Sequence, residues 1–353
     1  MATRSLMAVL AGIAIALTSA SASYSAEIQD REFRVVGTWG NLSAWQRYEK
    51  PFWTEMLPKA SDGKLTAQAI PITEAGLKGY EVIRLLKLNV FDFAHGLVGY
   101  VSKGNGIIEG ADLAGMAQDF KTLRKIVSAY RETLDQTFQK TFDAKIVALH
   151  PWPPSLVYCT EPMTGTKDLK GKKIRVHSAT LGDWVEGAGG TSVTMSFGEV
   201  LPALQKGVVD CAITDAMSAY RGKWHEVIKY VLVSKLAYSV SFTAVSTKLW
   251  NKLDPKTKEI MTKTLAELED KAWAGAQEDD ANGVNCLTGT GACPAGEPGN
   301  AKKVVLDEAG LAAQQAILDN FVLKRWADRC GADCVKNWNA TAGAAAGLTA
   351  PVN

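Results

Sequence analysis

The stretch Asp168–Tyr220, DLKGKKIRVHSATLGDWVEGAGGTSVTMSFGEVLPALQKGVVDCAITDAMSAY, decides the fold. Lys173–His177 is a short run with apolar and β-branched residues, bounded by turn-forming neighbours, and reads as a strand. Ser196-Phe-Gly-Glu199 is a capping box: the serine side chain meets the Glu199 amide, and the glutamate reaches back to the serine amide. The helix it opens ends at Gly207, a residue suited to the left-handed position beyond a helix. Val209–Thr214 reads as the next strand. Strand, helix and strand in this order argue for an α/β architecture.

Working outward, the same alternation continues. Further strands are expected at Glu32–Thr38, Lys64–Ile70, Val90–Ala94, Lys145–Leu149, Ser155–Thr160 and Ser239–Val245. Ser43 precedes a helix with Trp45, Tyr48, Phe52 and Met56 at helical spacing, and Asp119 opens one carrying Leu123, Ile126, Val127, Tyr130, Leu134 and Phe138 on one face. Asp254-Pro255 is a cap followed by proline at the first helical position. The helical pattern runs from there to about Asp280, a rod of about 37 Å. Residues 282–300, rich in Gly and Pro, read as a loop pinned by Cys286 and Cys293, and the Ala- and Gly-rich end from Ala340 to Asn353 reads as frayed.

The amino terminus reads as a secretory signal. Arg4 supplies the positive start, an apolar run extends from Leu6 to Leu17, and cleavage is expected after Ala22 or Ala26. The apolar run is too short for an ordinary span of about 20 residues, so the exported chain is expected to carry no membrane insertion. Export places the six cysteines in a disulfide-permissive compartment. Cys286 with Cys293 and Cys330 with Cys334 are near enough for local bridges. Cys159 and Cys211 are then left either to pair or to remain as buried thiols. With 39 Lys and Arg against 37 Asp and Glu, the chain lacks the clustered positive charge that nucleic acid requires. Its 353 residues exceed what one core normally serves, so two domains are expected.

Recognisable catalytic machinery is missing. GxSxG, a phosphate-binding GxxxxGK[ST] loop and CxxC are all absent, and His225-Glu226 lacks the second histidine of a zinc-protease helix. No cofactor and no metal are expected. An exported enzyme stays open as a minor alternative, because catalytic residues converge from distant positions.

The Asp168–Tyr220 segment resembles the TRAP-type solute receptors, extracytoplasmic subunits of sodium-driven organic-acid transporters. Their pattern is a DLKGxKIRV strand, a helix, a strand ending near Met, and a capped helix of the S/F-E-V-x-x-A-L-Q-x-G-V-V-D kind. Upstream, EFRVVGTW, KLTAQAIP and VFDFAHG are similar to the family's opening strands, so the likeness extends over about Phe33 to Asp280. It implies a two-lobed periplasmic-binding-protein-like fold with hinge strands and a long lobe-spanning helix. One lobe would comprise residues 27–150 and 236–275; the other would comprise 151–235 and 276–353. It further implies periplasmic localisation, a small organic-acid ligand, and membrane permease subunits as partners. A receptor that presents its ligand to a sensor kinase is the alternative role.

The likeness also implies that Arg175 forms a paired salt bridge with the ligand carboxylate. A guanidinium offers two parallel donors and keeps its charge, which suits that role. Where many members place a second Arg, this chain has His150-Pro-Trp-Pro-Pro154, making Trp152 a candidate for contact with an apolar part of the ligand. Thr214 falls on a family contact position. Asp215 lies just beyond it, where it either faces away or meets a hydroxyl, NH or ammonium. Loops at strand carboxyl ends add Trp39, Asn41, Gly99, Tyr100, Phe197, Met217 and Tyr220 as candidate lining. This aromatic set with one strong cation leads to the expectation of a small, aromatic or otherwise hydrophobic monocarboxylate.

Overall fold

The computed structural model describes residues 28–352, so the expected signal and its cleavage point lie outside the described residues. Nine strands form one mixed sheet: β1 (Arg31–Gly37), β2 (Leu65–Pro71), β3 (Phe93–Leu97), β4 (Ala144–Cys159), β5 (Lys173–Val176), β6 (Thr191–Thr194), β7 (Cys211–Asp215), β8 (Tyr230–Ser246) and β9 (Lys302–Val305). Their order is β2-β1-β3-β8-β4-β7-β5-β6, with β9 added to β8. β1 pairs in parallel with β2 and β3, while β5 pairs in parallel with β6 and β7. Between these two groups run β4 and β8, antiparallel to each other and long enough to serve both. This is a two-lobed α/β fold whose halves share two through-going strands.

Prolines explain the main departure from the expected strands. Lys145–Leu149 and Ser155–Thr160 are parts of one strand, β4, which continues through Pro151, Pro153 and Pro154. Proline cannot donate to a ladder, so the pairing slips between Pro151 and Pro154 as a bulge instead of ending. Trp152 sits in that bulge and donates from its indole N–H to Ser241 Oγ. Near the third strand, Asn89 adopts a left-handed φ of 58° and closes the Val82–Lys87 helix. That turn occupies Val90, so β3 begins at Phe93 instead.

The helices keep most of their expected starts. Asp119 accepts from the Thr122 amide at 2.7 Å and opens Phe120–Phe142. Asp254 accepts from the Thr257 amide at 2.7 Å and opens Pro255–Thr288. The latter has 34 residues, about 51 Å of rise. It overruns Asp280 and takes in part of the expected 282–300 loop, because Gly283 is a packing glycine here. A Cβ at Gly283 would come within 2.4 Å of the Met217 amide nitrogen. The helix stops at Gly289, with φ 67°. Ser43 makes no side-chain cap, and the turns from Ala44 to Met56 are wound wider than an α-helix.

The carboxyl-terminal end is packed, contrary to the expected fraying. Trp338 is fully buried and donates to Gly110 O at 2.8 Å. Asn339 and Ala350 exchange hydrogen bonds at 2.9 and 2.8 Å, tying down the last turn. Trp326 donates to Gly106 O at 2.7 Å, while Ile317 and Phe321 lie against Gly187. Residues 308–346 therefore touch both halves of the molecule. Three disulfides close, Cys159–Cys211, Cys286–Cys293 and Cys330–Cys334, resolving the choice left open for Cys159.

Candidate functional site

The site is assembled where β5 and β7 end beside the β4 bulge. Arg175 stands on β5 with only 1% of its surface exposed. Its Nε and Nη2 both donate to Met195 O, at 3.1 and 3.0 Å, and Nη1 donates to Ile213 O at 3.0 Å. A guanidinium has five N–H donors. Backbone carbonyls take three and so fix the plane of the fork. One hydrogen remains on each Nη nitrogen, and Nη hydrogens of a guanidinium can pair with a carboxylate. Nη2 directs its hydrogen to Tyr100 Oη at 3.1 Å; no hydrogen bond is found for the second Nη1 hydrogen. Among the described residues no carboxylate pairs with Arg175, so a buried cation stands with dipoles as its only partners.

Aromatic rings surround this fork. Trp39 meets Tyr100, Trp152 and Phe197 edge-on, with centroids 5.1, 6.1 and 5.9 Å apart. Tyr100 is stacked between Tyr80 at 4.4 Å and His177 at 5.7 Å. His177 Nε2 lies 3.1 Å from Ser239 Oγ. Burial, with help from the Arg175 charge, depresses the His177 pKa to about 3 and keeps the ring neutral. The Ser196–Glu199 turn starts the Phe197 wall. Glu199 accepts from the Ser196 amide at 3.0 Å and its hydroxyl at 2.7 Å, and it reaches Lys78 at 2.6 Å.

Arg175, Trp39, Tyr100, Trp152, Phe197, Thr214 and Asp215 line one cavity of about 20 Å³. That is room for about one water. A second cavity of about 660 Å³ lies on the other side of Tyr100 and His177, lined also by Tyr80, Gly99, Lys103 and Thr194. Asp215 turns its carboxylate back to cap the following helix, accepting from the Ser218 amide at 2.8 Å. Burial raises its pKa to about 7, with Asp279 pushing the same way and the Ser218 hydrogen bonds opposing.

Four of the candidate residues lie elsewhere. Asn41 donates to Arg221 O at 3.2 Å, outside the small cavity. Gly99 packs against Ser178 and borders the larger cavity. Met217 is buried under Gly283. Tyr220 donates to Glu297 O at 2.7 Å and stacks on His225. Leu42, His177, Ser218 and Ser239 enter the lining without having been selected from sequence. For His177 a signal existed: it lies two residues beyond Arg175, and alternation along a strand puts such residues on one face.

A second polar cluster has one of its two histidines fully engaged in hydrogen bonds. Glu49, His95 and His150 bring ligating atoms within 4.8 Å of one another, all buried. His95 Nε2 accepts from Trp53 Nε1 at 2.8 Å, which leaves Nδ1 to donate to Thr243 Oγ1 at 3.0 Å. Neither nitrogen then offers a lone pair to an ion.

Comparisons with known proteins bear on the family and the fold. The profile of the family described as bacterial extracellular solute-binding protein, family 7, matches residues 37–292. The chain is 25% identical over 241 residues to the C4-dicarboxylate-binding periplasmic protein DctP of Rhodobacter capsulatus, covering 67% of this chain and 72% of that one. It is 24% identical to the sialic acid-binding periplasmic protein SiaP of Vibrio cholerae, covering 73% and 79%. Among solved structures, a Bordetella pertussis extracytoplasmic solute receptor binding pyroglutamic acid superposes with a TM-score of 0.79 at 20% identity, covering 88% and 98%. A TRAP solute-binding protein from Desulfovibrio salexigens with bound orotic acid gives 0.79 at 16% identity, covering 89% and 99%. The chain belongs to family 7 of the bacterial extracellular solute-binding proteins, the TRAP solute-binding receptors.

Proposed function

We propose that this receptor captures a small monocarboxylate, aromatic or otherwise apolar, between its two lobes and delivers it to TRAP-type permease subunits outside the cytoplasm. The observation that carries the proposal is Arg175: a fully buried guanidinium beside an aromatic cavity, held by backbone carbonyls and Tyr100 Oη, with no carboxylate of its own among the described residues. Burying a cation without a counter-ion is unfavourable. An anionic ligand supplies the missing charge. The four relatives above are named for, or hold, carboxylic acids, which supports the same class. Trp39, Trp152 and Phe197 favour an apolar ligand body over a second charged group. The lobes are read as residues 28–150 with 236–275, and 151–235 with 276–352, the segment 308–346 lying against both. Among the described residues no helix is long and apolar enough to cross a membrane.

A thermal-shift screen of benzoate, phenylacetate, indole-3-acetate, pyroglutamate, orotate and succinate tests the proposal. An acid present at about 1,000 times its dissociation constant adds about 4 kcal/mol to unfolding, a rise of several degrees for a chain of this size. Hits are expected among the five monocarboxylates; a screen in which none of them shifts the transition, or succinate alone does, contradicts the proposal.

Binding should also depend on pH through Asp215, which lines the same cavity as Arg175. Its carboxyl titrates at about 7. Above that value it is ionised and repels the ligand anion; below it the repulsion vanishes. Two like charges sharing one small cavity, at an effective dielectric of about 20, repel by on the order of 2 kcal/mol. Affinity for the acid is therefore expected to fall by up to about tenfold between pH 6 and 8. Asp215→Asn should flatten the profile in calorimetric titrations at both values. An unchanged slope in that variant excludes Asp215 as the cause.

A further inference from the structure

The Tyr100 phenol oxygen accepts two hydrogen bonds, from Arg175 Nη2 and from the Phe197 amide, each at 3.1 Å. A charged donor and a backbone N–H converging on one oxygen form an arrangement suited to an anion, yet a neutral phenol fills it. Burial pushes the phenol's pKa above its ordinary value, with the Arg175 charge opposing, so the group stays un-ionised. The same side chain lines both the 20 Å³ cavity at Arg175 and the 660 Å³ cavity beyond it. The first is too small for any organic acid. The second falls within the range of about 300–1,000 Å³ typical of small-molecule sites. Tyr100 is held by stacking on Tyr80 and His177, an edge contact with Trp39 and these two hydrogen bonds, with no covalent or ionic lock.

We propose that Tyr100 is a displaceable internal occupant of the carboxylate site, and that an incoming carboxylate oxygen replaces its phenol oxygen between Arg175 and Phe197. Departure of the side chain joins the two cavities and gives the ligand body a compartment beside Tyr80, Gly99 and Thr194. The proposal rests on the reading of Arg175 as the carboxylate anchor, and it adds a basis for selectivity. A ligand must offer the guanidinium more than the phenol does. A carboxylate meets that threshold through charge, whereas an amide or alcohol only equals what it displaces.

The test is calorimetric titration of benzoate, phenylacetate, pyroglutamate and orotate into the wild-type protein, Tyr100→Phe, and Tyr100→Phe combined with Arg175→Met. Phenylalanine keeps the ring and its stacking and removes only the competing oxygen. Each acid that binds is expected to bind Tyr100→Phe about tenfold more tightly, and acids too weak to register with the wild type should become measurable. The combined variant should bind none of them. Equal or weaker binding by Tyr100→Phe overturns the proposal and makes the hydroxyl inert or a direct ligand contact, while leaving the Arg175 reading intact. Tighter binding that survives loss of Arg175 overturns it as well. No binding to either the wild type or Tyr100→Phe removes the Arg175 reading itself.

Discussion

Arg175→Met is expected to abolish measurable capture of monocarboxylates while leaving the melting temperature of the unliganded protein unchanged or raised. The two halves of this result have one origin. A paired, charge-assisted contact between a guanidinium and a carboxylate, both withdrawn from water, costs about 3–5 kcal/mol when one partner is removed. That corresponds to at least a hundredfold loss of affinity. In the unliganded protein the same guanidinium is a buried charge without a counter-ion, and an apolar side chain of similar length relieves that burden. Methionine forfeits the hydrogen bonds to Met195 O and Ile213 O, which offsets part of the gain. Calorimetric titration and a melting curve on the same preparation read both quantities. A melting temperature lowered by ten degrees would mark Arg175 as a structural residue.

The second large effect concerns the Cys159–Cys211 bridge. It joins the paired ends of β4 and β7 and closes a segment with a sequence separation of 52. In the chain-entropy view, a loop of that length restricts the unfolded chain by about 4 kcal/mol. The other two bridges, with separations of 7 and 4, are worth about 2 kcal/mol each on the same basis. Cys159→Ala with Cys211→Ala should therefore lower the unfolding free energy in urea by about 4 kcal/mol, more than removal of either other pair. A loss below 1 kcal/mol would show that the strand pairing already restrains this segment in the unfolded ensemble.

The parts of the fold written in local sequence were legible. The Asp119 and Asp254 caps, the Glu199 return to Ser196, and Arg175 on its strand are settled within a few residues, by short-range hydrogen bonding and hydrophobic period. What escaped depends on distant partners. Gly283 resembles a loop signal until the close approach of Met217 explains it. Pro151 to Pro154 resemble a strand break until β8 opposes them and absorbs the slip as a bulge. The tail resembles a frayed end until Trp338 finds Gly110. The candidate site divides in the same way. Arg175, Trp152 and Thr214 were named from the family pattern that their segments resemble, and the structure brings them to one cavity. Ser239 comes from the middle of a strand whose local pattern carries no sign of it. The occupation of the Arg175 fork by Tyr100, 75 residues away, is a property of the packed chain alone.

The central claim is that capture depends on the ligand's negative charge meeting Arg175. Its most direct test is a calorimetric titration of the wild-type protein with the best-binding acid from the screen and, in parallel, with the primary amide of that acid. The two compounds share shape and apolar surface and differ in charge. The acid should bind at least a hundredfold more tightly than the amide, and Arg175→Met should erase the difference. Equal affinity for acid and amide in the wild-type protein would contradict the account, because recognition would then run through the aromatic walls alone.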